Sequence, residues 1–213
     1  DMDGTLVDTE PYWIAAEREL VESFGNEWPE HHAHALIGSD LMVAAEYMRE
    51  HGGVPLPAEE IVEWMIDAVI AGLHRSITWR PGARELLAEL TEAGVPCALV
   101  TMSWRRLAEP VVAALPPGAI SVAVTGDAVQ RGKPHPDPYV LAARRLGVDP
   151  ADCVAIEDSP TGLRSAVAAG CRVVAVPNVI PLEPSPDVTV VGSLRDLSLD
   201  DTVGDWLPDL PDA

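Results

Sequence analysis

The amino-acid sequence predicts an α/β protein with an all-helical insert near its start. Two textures along the chain support this fold class. From Thr9 to about Thr78, apolar residues repeat at three-to-four spacing and no strand-like run interrupts them, which is typical of helices. From Trp79 onward, short apolar runs alternate with helical patterns, which favours a parallel sheet covered on both faces.

Three helices are predicted in the insert. The first begins at Asp8 or Thr9, which are capping residues, has Pro11 in its first turn and ends at Gly25. The second covers residues 41–50, and the third follows the segment LPAEE. The segment HHAH is expected on a helix face or in a loop, because its spacing is poor for tetrahedral zinc.

The second part of the chain alternates helices and strands. Its first helix, PGARELLAELTEAG, has Pro near its start and Gly beyond its end. The elements that follow are the strand VPCALVT, a helix over residues 107–115 that Pro110 kinks or begins, the strand ISVAVT, a helix over 139–146, the strand CVAIE, a helix over 161–169, the strand CRVVAV and a last short strand, DVTVV. The tail after Leu199 is expected to be weakly ordered.

These textures divide the chain into two domains. Residues 1–11 and 79–213 form the predicted core, and residues 12–78 form the predicted helical insert. The chain crosses between them near residues 8–11 and 77–81, which are the expected hinges. An apolar strand is expected ahead of Asp1 to hold that residue in place, so the natural chain is expected to be longer.

Composition restricts the partners of this protein. The chain has 34 Asp and Glu residues against 14 Lys and Arg, a formal charge of −20. Because a field of that sign repels phosphate backbones, nucleic acid is excluded as a partner, and an anionic substrate needs a local cation. No apolar stretch reaches the ~18 residues of a membrane span, and no secretory signal pattern is visible.

The three cysteines are Cys97, Cys153 and Cys171, and each lies inside an apolar run. Their number is odd and they lack metal-ligand spacing. They are therefore expected to be reduced core residues of a cytoplasmic protein.

Candidate site residues, most of them polar, follow four of the predicted strands. In chain order they are Asp1, Asp3, Thr101, Met102, Ser103, Lys133, Glu157 and Asp158. In a doubly wound sheet, ligands bind outside the carboxyl ends of the strands. These side chains are therefore expected to meet at one edge of the sheet.

The predicted catalytic residues are the carboxylates Asp1 and Asp3, the hydroxyl of Thr101 and the ammonium group of Lys133. Asp1 can attack phosphorus as a nucleophile. Asp3 lies two residues further along an extended segment and projects the same way, so it can protonate the leaving oxygen and later take a proton from water. Lys133 supplies a cation for Asp1 and for the phosphoryl group.

The predicted phosphate-binding residues are Thr101, Met102, Ser103 and Lys133. The two hydroxyls can donate hydrogen bonds to phosphoryl oxygens. An all-oxygen metal site is predicted beside them from Asp158 and Asp1, with Glu157 as a further candidate. Hard oxygen ligands favour Mg²⁺, which would make the crowding of carboxylates tolerable.

The motifs resemble those of the haloacid dehalogenase superfamily. The segment DMDGTLVD, the Thr of LVTMS, the Lys of GKPHPDPY and the acidic pair of IEDSPTG match its four motifs in order. The resemblance implies a Rossmann-like core, a helical cap in the position of the insert and an aspartyl-phosphate intermediate. It also implies a metal bound by the Asp1 side chain, the Asp3 backbone carbonyl and Asp158.

Two aspartates, Asp1 and Asp3, favour the phosphatase and phosphomutase branches of that superfamily. The segment DTEPYWIAAERELVESFG resembles the sugar-phosphate phosphatase and β-phosphoglucomutase group. The mutases usually carry His at the position of Trp13 and Arg at that of Asp40, so a phosphatase is favoured. A β-phosphoglucomutase-type mutase is the alternative, and a non-catalytic binding or regulatory protein on the same fold is an alternative of another class.

The predicted function is a Mg²⁺-dependent phosphatase that acts on a small phosphomonoester, a sugar phosphate, through an aspartyl-phosphate intermediate. Within the cap, Glu10, Trp13 and Ser39 are candidate substrate contacts. The protein is expected to be a cytoplasmic monomer or weak dimer without nucleic-acid or membrane partners.

Overall fold

The computed structural model describes residues 1–197. The tail after Leu199, which the sequence predicts to be weakly ordered, lies outside the described residues. Within residues 1–197, no helix is long and apolar enough to cross a lipid bilayer.

Four helices occupy the insert, in place of the three predicted. They are α1 (Glu10–Ser23), α2 (Glu30–Leu36), α3 (Leu41–Gly52) and α4 (Ala58–Arg75). The additional helix, α2, contains the HHAH segment. Helix α3 begins at Asp40, whose carboxylate accepts hydrogen bonds from the backbone nitrogens of Met42 at 2.9 Å and Val43 at 3.3 Å.

The N-terminus of α1 differs from the prediction in one respect. Thr9 is the N-cap residue, but its hydroxyl makes no capping hydrogen bond. It donates instead to the Asp3 Oδ1 atom at 2.6 Å. The first helix of the insert is therefore bonded at its start to the acidic segment that opens the chain.

The second part of the chain alternates helices and strands as predicted. The helices are α5 (Ala83–Glu92), α6 (Arg105–Ala113), α7 (Asp137–Leu146) and α8 (Pro160–Ala169), and the strands are β1 (Ala98–Val100), β2 (Val122–Val124), β3 (Val154–Glu157), β4 (Arg172–Ala175) and β5 (Val188–Val190). Helix α6 begins at Arg105, so Pro110 lies in its interior and not in its first turn.

All pairs between these five strands are parallel, which confirms the predicted α/β class. Strand β1 pairs with β2, and β3 pairs with β4, which pairs with β5. Asp1 lies at the end of β3, because its nitrogen donates to the Ile156 carbonyl oxygen at 3.0 Å. The carboxyl ends of β1 and β3 therefore flank the acidic opening segment.

An apolar cavity of about 350 Å³ separates β1 from β3. Leu99 and Val100 line one side of it, and Ala155 and Ile156 line the other.

The three cysteines are free thiols and are half-buried. Cys97 and Cys171 pack against apolar core clusters, as expected for core residues. Cys153 and Cys171 directly precede the strands β3 and β4.

The largest apolar core joins the insert to the rest of the chain. It includes Ile61 and Ile66 of α4, Leu99 of β1 and Leu107 of α6, all fully buried or nearly so. Helix α4 packs against α1, α3 and α6. The insert is thus held on the same side as the carboxyl end of β1.

Leu107→Ala tests this packing. We expect the free energy of unfolding to fall by about 2–5 kcal/mol, because the substitution leaves a cavity at a fully buried position. Val43→Ala, at a position that is 62% exposed, is the control and should change it by less than about 0.5 kcal/mol. Equal losses in urea titrations of the two variants would contradict the packing described.

Candidate active site

Carboxylates, hydroxyls and a lysine from four chain segments meet at the carboxyl ends of β1 and β3. The structure brings together the eight residues that the sequence predicts at strand ends. The contacts among them divide into a charged group around Lys133 and a hydroxyl group around Asp3.

Lys133 is the centre of the charged group. Its Nζ atom donates to Asp1 Oδ1 at 2.7 Å and to Glu157 Oε1 at 2.5 Å. It also donates to the Val100 carbonyl oxygen at the end of β1, at 3.0 Å. Because the Lys133 side chain is only 3% exposed, its three donors are fully used by these fixed acceptors.

Glu157 holds Lys133 in place. Its side chain is fully buried, and Oε1 also accepts a hydrogen bond from the Tyr139 hydroxyl at 2.5 Å. Burial alone would raise the pKa of Glu157, but the Lys133 charge and the hydrogen bonds from Lys133 and Tyr139 hold it below its usual value. Glu157, a candidate metal ligand by sequence, therefore also binds Lys133, a contact that the sequence did not predict.

Tyr139 was also missed. It lies in α7, six residues after Lys133, within the motif segment GKPHPDPY. A tyrosine hydroxyl that is buried needs a hydrogen-bond partner, so its place in the motif that carries Lys133 was the available signal.

Asp3 is held by four donors. Its Oδ2 atom accepts from the Thr101 hydroxyl at 3.0 Å and the Ser103 hydroxyl at 2.8 Å. Its Oδ1 atom accepts from the Thr9 hydroxyl at 2.6 Å and from Trp13 Nε1 at 3.3 Å. The two hydroxyls predicted to bind phosphate are thus bonded to Asp3, which fixes the orientation of its carboxyl group.

Met102 contacts Lys133 through its sulfur. The Met102 Sδ atom accepts a hydrogen bond from the Lys133 backbone nitrogen at 3.1 Å, and the side chain is buried. A side chain at Gly132 would overlap this sulfur. Met102 therefore helps to position the lysine, and its predicted phosphate binding stays a prediction.

Three carboxylates form a cluster that suits a metal ion. Oxygen atoms of Asp1, Glu157 and Asp158 lie within 4.8 Å of one another. Burial, followed by the nearby Glu157 charge, raises the pKa of Asp158 to about 7. The Thr5 hydroxyl links Asp1 Oδ2 and Asp158 Oδ1, at 3.3 Å from each. An oxygen-only set with excess negative charge fits Mg²⁺.

Gly4 allows the acidic turn to approach Asp158. It has a φ of 78°, in the left-handed region that glycine adopts without strain. A Cβ atom at this position would overlap the Asp158 carboxylate. The DMDG turn therefore requires glycine twice over, for its backbone angle and for the space it leaves.

A cavity of about 70 Å³ extends from these groups into the helical insert. Glu10, Trp13 and Ser39, the candidate substrate contacts, all line it. Glu17 lines it too and was missed by sequence analysis. The remaining wall is mostly apolar and comes from α2, α3 and α4, for example Leu36.

The two glutamates of the cavity are unusual acids. Burial, with the nearby charge of Asp3 as the next cause, raises the pKa of Glu10 to about 8. Burial also raises the pKa of Glu17 to about 7, although a hydrogen bond from Trp28 Nε1 at 3.0 Å opposes this. Both glutamates lie on the cavity face of α1.

Comparison with known proteins identifies relatives of this chain. Residues 1–170 match the haloacid dehalogenase-like hydrolase family. Hexitol phosphatase A of Escherichia coli is 36% identical over 191 residues, covering 83% of this chain and 80% of that protein. A probable pseudouridine-5'-phosphatase of Drosophila melanogaster is 35% identical over 185 residues, covering 84% and 80%.

A solved structure is similar over nearly the whole chain. It is a CbbY mutant from Rhodobacter sphaeroides in complex with xylulose-1,5-bisphosphate. The TM-score is 0.85 and the identity is 28%, with 98% of this chain and 97% of that chain covered.

The raised pKa of Glu17 predicts how stability depends on pH. The folded protein keeps a proton that the unfolded chain releases above about pH 4.5, so the stabilisation from this proton is complete below that pH and is lost as pH rises to about 7. Glu17→Gln removes this titration. Relative to the wild type, the variant should gain up to about 3 kcal/mol in free energy of unfolding between pH 4.5 and 7.5.

Urea titrations at several pH values measure this difference. Glu19→Gln, an exposed position on the same helix, is the control and should follow the wild type. A constant difference between Glu17→Gln and the wild type across this range would show that Glu17 titrates normally.

Proposed function

We propose that this chain, which belongs to the haloacid dehalogenase-like hydrolase family, hydrolyses a small sugar or sugar-alcohol phosphate through a phosphorylated Asp1. It is a phosphoric monoester hydrolase. The observation that carries the proposal is the Asp1 carboxylate, which is held at 2.7 Å by a buried lysine beside an oxygen-rich metal cluster. A binding or regulatory protein needs none of these groups.

In the first step, an Asp1 carboxylate oxygen attacks phosphorus, and the bond between phosphorus and the leaving oxygen breaks. Asp3 gives its proton to that oxygen, and the alcohol leaves. In the second step, Asp3 takes a proton from water as the water oxygen attacks phosphorus and the bond between phosphorus and the Asp1 oxygen breaks. Inorganic phosphate is released and the Asp1 carboxylate is restored.

Lys133 and the donors around Asp3 support these steps. Lys133 holds one oxygen of Asp1 and offsets the negative charge that grows on the phosphoryl group. Thr101 and Ser103 hold the Asp3 carboxyl in a fixed orientation. Their hydroxyl groups can rotate and donate to the phosphoryl oxygens when the substrate is bound. This accounts for both their observed contacts and their predicted role.

We propose that Mg²⁺ is bound by the side chains of Asp1 and Asp158 and, as the family resemblance implies, by the Asp3 backbone carbonyl. The crowded carboxylates and the raised pKa of Asp158 support a divalent cation there. Such an ion offsets the negative charge of the carboxylates and of the phosphoryl oxygens.

The mutase alternative is less well supported. Trp13 and Asp40 stand where mutases carry His and Arg, and Asp40 instead caps α3. Among the described residues that line the cavity, Lys133 is the single cationic side chain, and it already forms ion pairs with Asp1 and Glu157. A bisphosphate would place its second phosphate near Glu10 and Glu17, without a cation to bind it.

We propose that residues 12–78 act as a cap that closes over the site. The two chain crossings lie side by side, because the Asp8 nitrogen donates to the Thr78 carbonyl oxygen at 2.8 Å and the Arg80 nitrogen donates to the Leu6 carbonyl oxygen at 2.9 Å. Adjacent crossings support a hinge at residues 8–11 and 77–81. Closure would exclude water from the cavity and select the leaving group.

Asp1→Asn tests the nucleophile. With Mg²⁺ present, we expect the wild-type full-length protein to release phosphate from a sugar phosphate, and the variant to be slower by about 10³-fold or more, because the amide is a poor nucleophile. EDTA should also stop the wild type. Asp187→Asn, at an exposed position, is the control. Phosphate release at the wild-type rate by Asp1→Asn would contradict the mechanism.

Product analysis separates the phosphatase from the mutase. Ester consumed and inorganic phosphate formed should be equimolar, and no isomerised sugar phosphate should appear by NMR. Isomer formation with little free phosphate would instead support the mutase.

A further inference from the structure

The cavity face of α1 carries two carboxyl groups that the proposed chemical steps do not use. Glu10, Trp13 and Glu17 occupy positions i, i+3 and i+7 and all line the cavity. With a rise of 1.5 Å per residue, the two glutamates are separated by about 10 Å along the helix axis.

Both glutamates are largely buried, and between them they have one hydrogen-bond donor from the described chain, Trp28 Nε1. Glu10 is 7% exposed, and its side chain accepts no hydrogen bond within the described residues 1–197. Glu17 is 5% exposed, and Trp28 Nε1 is its hydrogen-bond donor. Both carboxyl groups line the same cavity, where hydroxyl groups of a ligand can supply the hydrogen bonds that the protein does not.

We propose that Glu17, together with Glu10, binds hydroxyl groups of the leaving group and so makes the enzyme selective for monophosphates of polyols with five or six carbons. Glu10 lies near Asp3, where the leaving oxygen departs, and Glu17 lies two helical turns further into the insert. A short leaving group reaches the first carboxyl but not the second. This inference rests on the proposed phosphatase function and names its substrate class.

The rest of the lining agrees with a neutral, hydroxylated leaving group. Apolar side chains such as Leu36, Met48 and Met65 surround the carboxyls and suit the carbon skeleton. Among the described lining residues, Lys133 is the cationic one, and it is bound to Asp1 and Glu157. It is therefore not available to bind a second anionic group of the substrate. A carboxyl group that keeps its proton at neutral pH both donates and accepts, as a hydroxyl does.

Trp28 holds Glu17 in place for this role. It is 4% exposed, and its ring stacks on His32 with a centroid distance of 4.8 Å. Its Nε1 atom donates to Glu17 Oε2, which leaves the other oxygen without a donor from the described chain. The buried Trp28 ring therefore holds the Glu17 carboxyl in position.

The test compares kcat/KM for a hexitol 6-phosphate with kcat/KM for glycerol 3-phosphate in the full-length enzyme with Mg²⁺. In Glu17→Leu, we expect the ratio of the two values to fall about 10-fold or more, mainly through KM for the hexitol phosphate. Glu17→Gln keeps the shape and an acceptor for Trp28, and should give a smaller fall in the same direction. Glu19→Gln is the matched control and should keep the wild-type ratio.

Each outcome distinguishes the substrate class from the function. An unchanged ratio in both Glu17 variants, or equal losses on both esters, overturns the role of Glu17 while the phosphatase stands. A higher kcat/KM of the wild type for glucosamine 6-phosphate than for glucose 6-phosphate, measured alongside, would show that the carboxyls bind a cation and would overturn the polyol assignment. If the wild type releases phosphate from no ester, the proposed function fails as well.

Discussion

The buried Lys133 ammonium is the interaction on which the site depends. It lies between the carboxylates of Asp1 and Glu157 in a chain with a formal charge of −20. Breaking a buried ion pair by removing one partner costs about 3–5 kcal/mol, because the other charge is left without compensation. The Val100 carbonyl and the Tyr139 hydroxyl complete the arrangement, so β1, β3 and α7 all converge on one charge.

Helix α1 connects the chemistry to the choice of substrate. Its first residues bond Asp3 through the Thr9 hydroxyl and Trp13 Nε1, and its cavity face carries Glu10 and Glu17. A movement of this helix therefore changes the orientation of Asp3 and the depth of the cavity together. In this account, a leaving group that fits the cavity also sets the geometry of the acid that protonates it.

The parts of the site predicted from sequence are those set by local order along the chain. Asp1, Lys133 and Asp158 follow strands, and the carboxyl ends of parallel strands must meet. Glu17 was missed because a glutamate in a helix is usually exposed, although its spacing from Trp13 places it on the face that the insert buries. Contacts between segments distant in sequence also explain three other differences from the predictions. These are the role of Tyr139, the bond of Thr9 to Asp3 in place of a helix cap, and the separate helix α2.

The central claim is that Asp1, held by Lys133, accepts the phosphoryl group. The direct measurement is to quench the enzyme with sodium borohydride during turnover and to analyse its peptides by mass spectrometry, because borohydride reduces an acyl phosphate to an alcohol. We expect homoserine in place of Asp1, formed only when substrate and Mg²⁺ are both present. An unmodified Asp1 during rapid turnover, or homoserine at another aspartate, would contradict it.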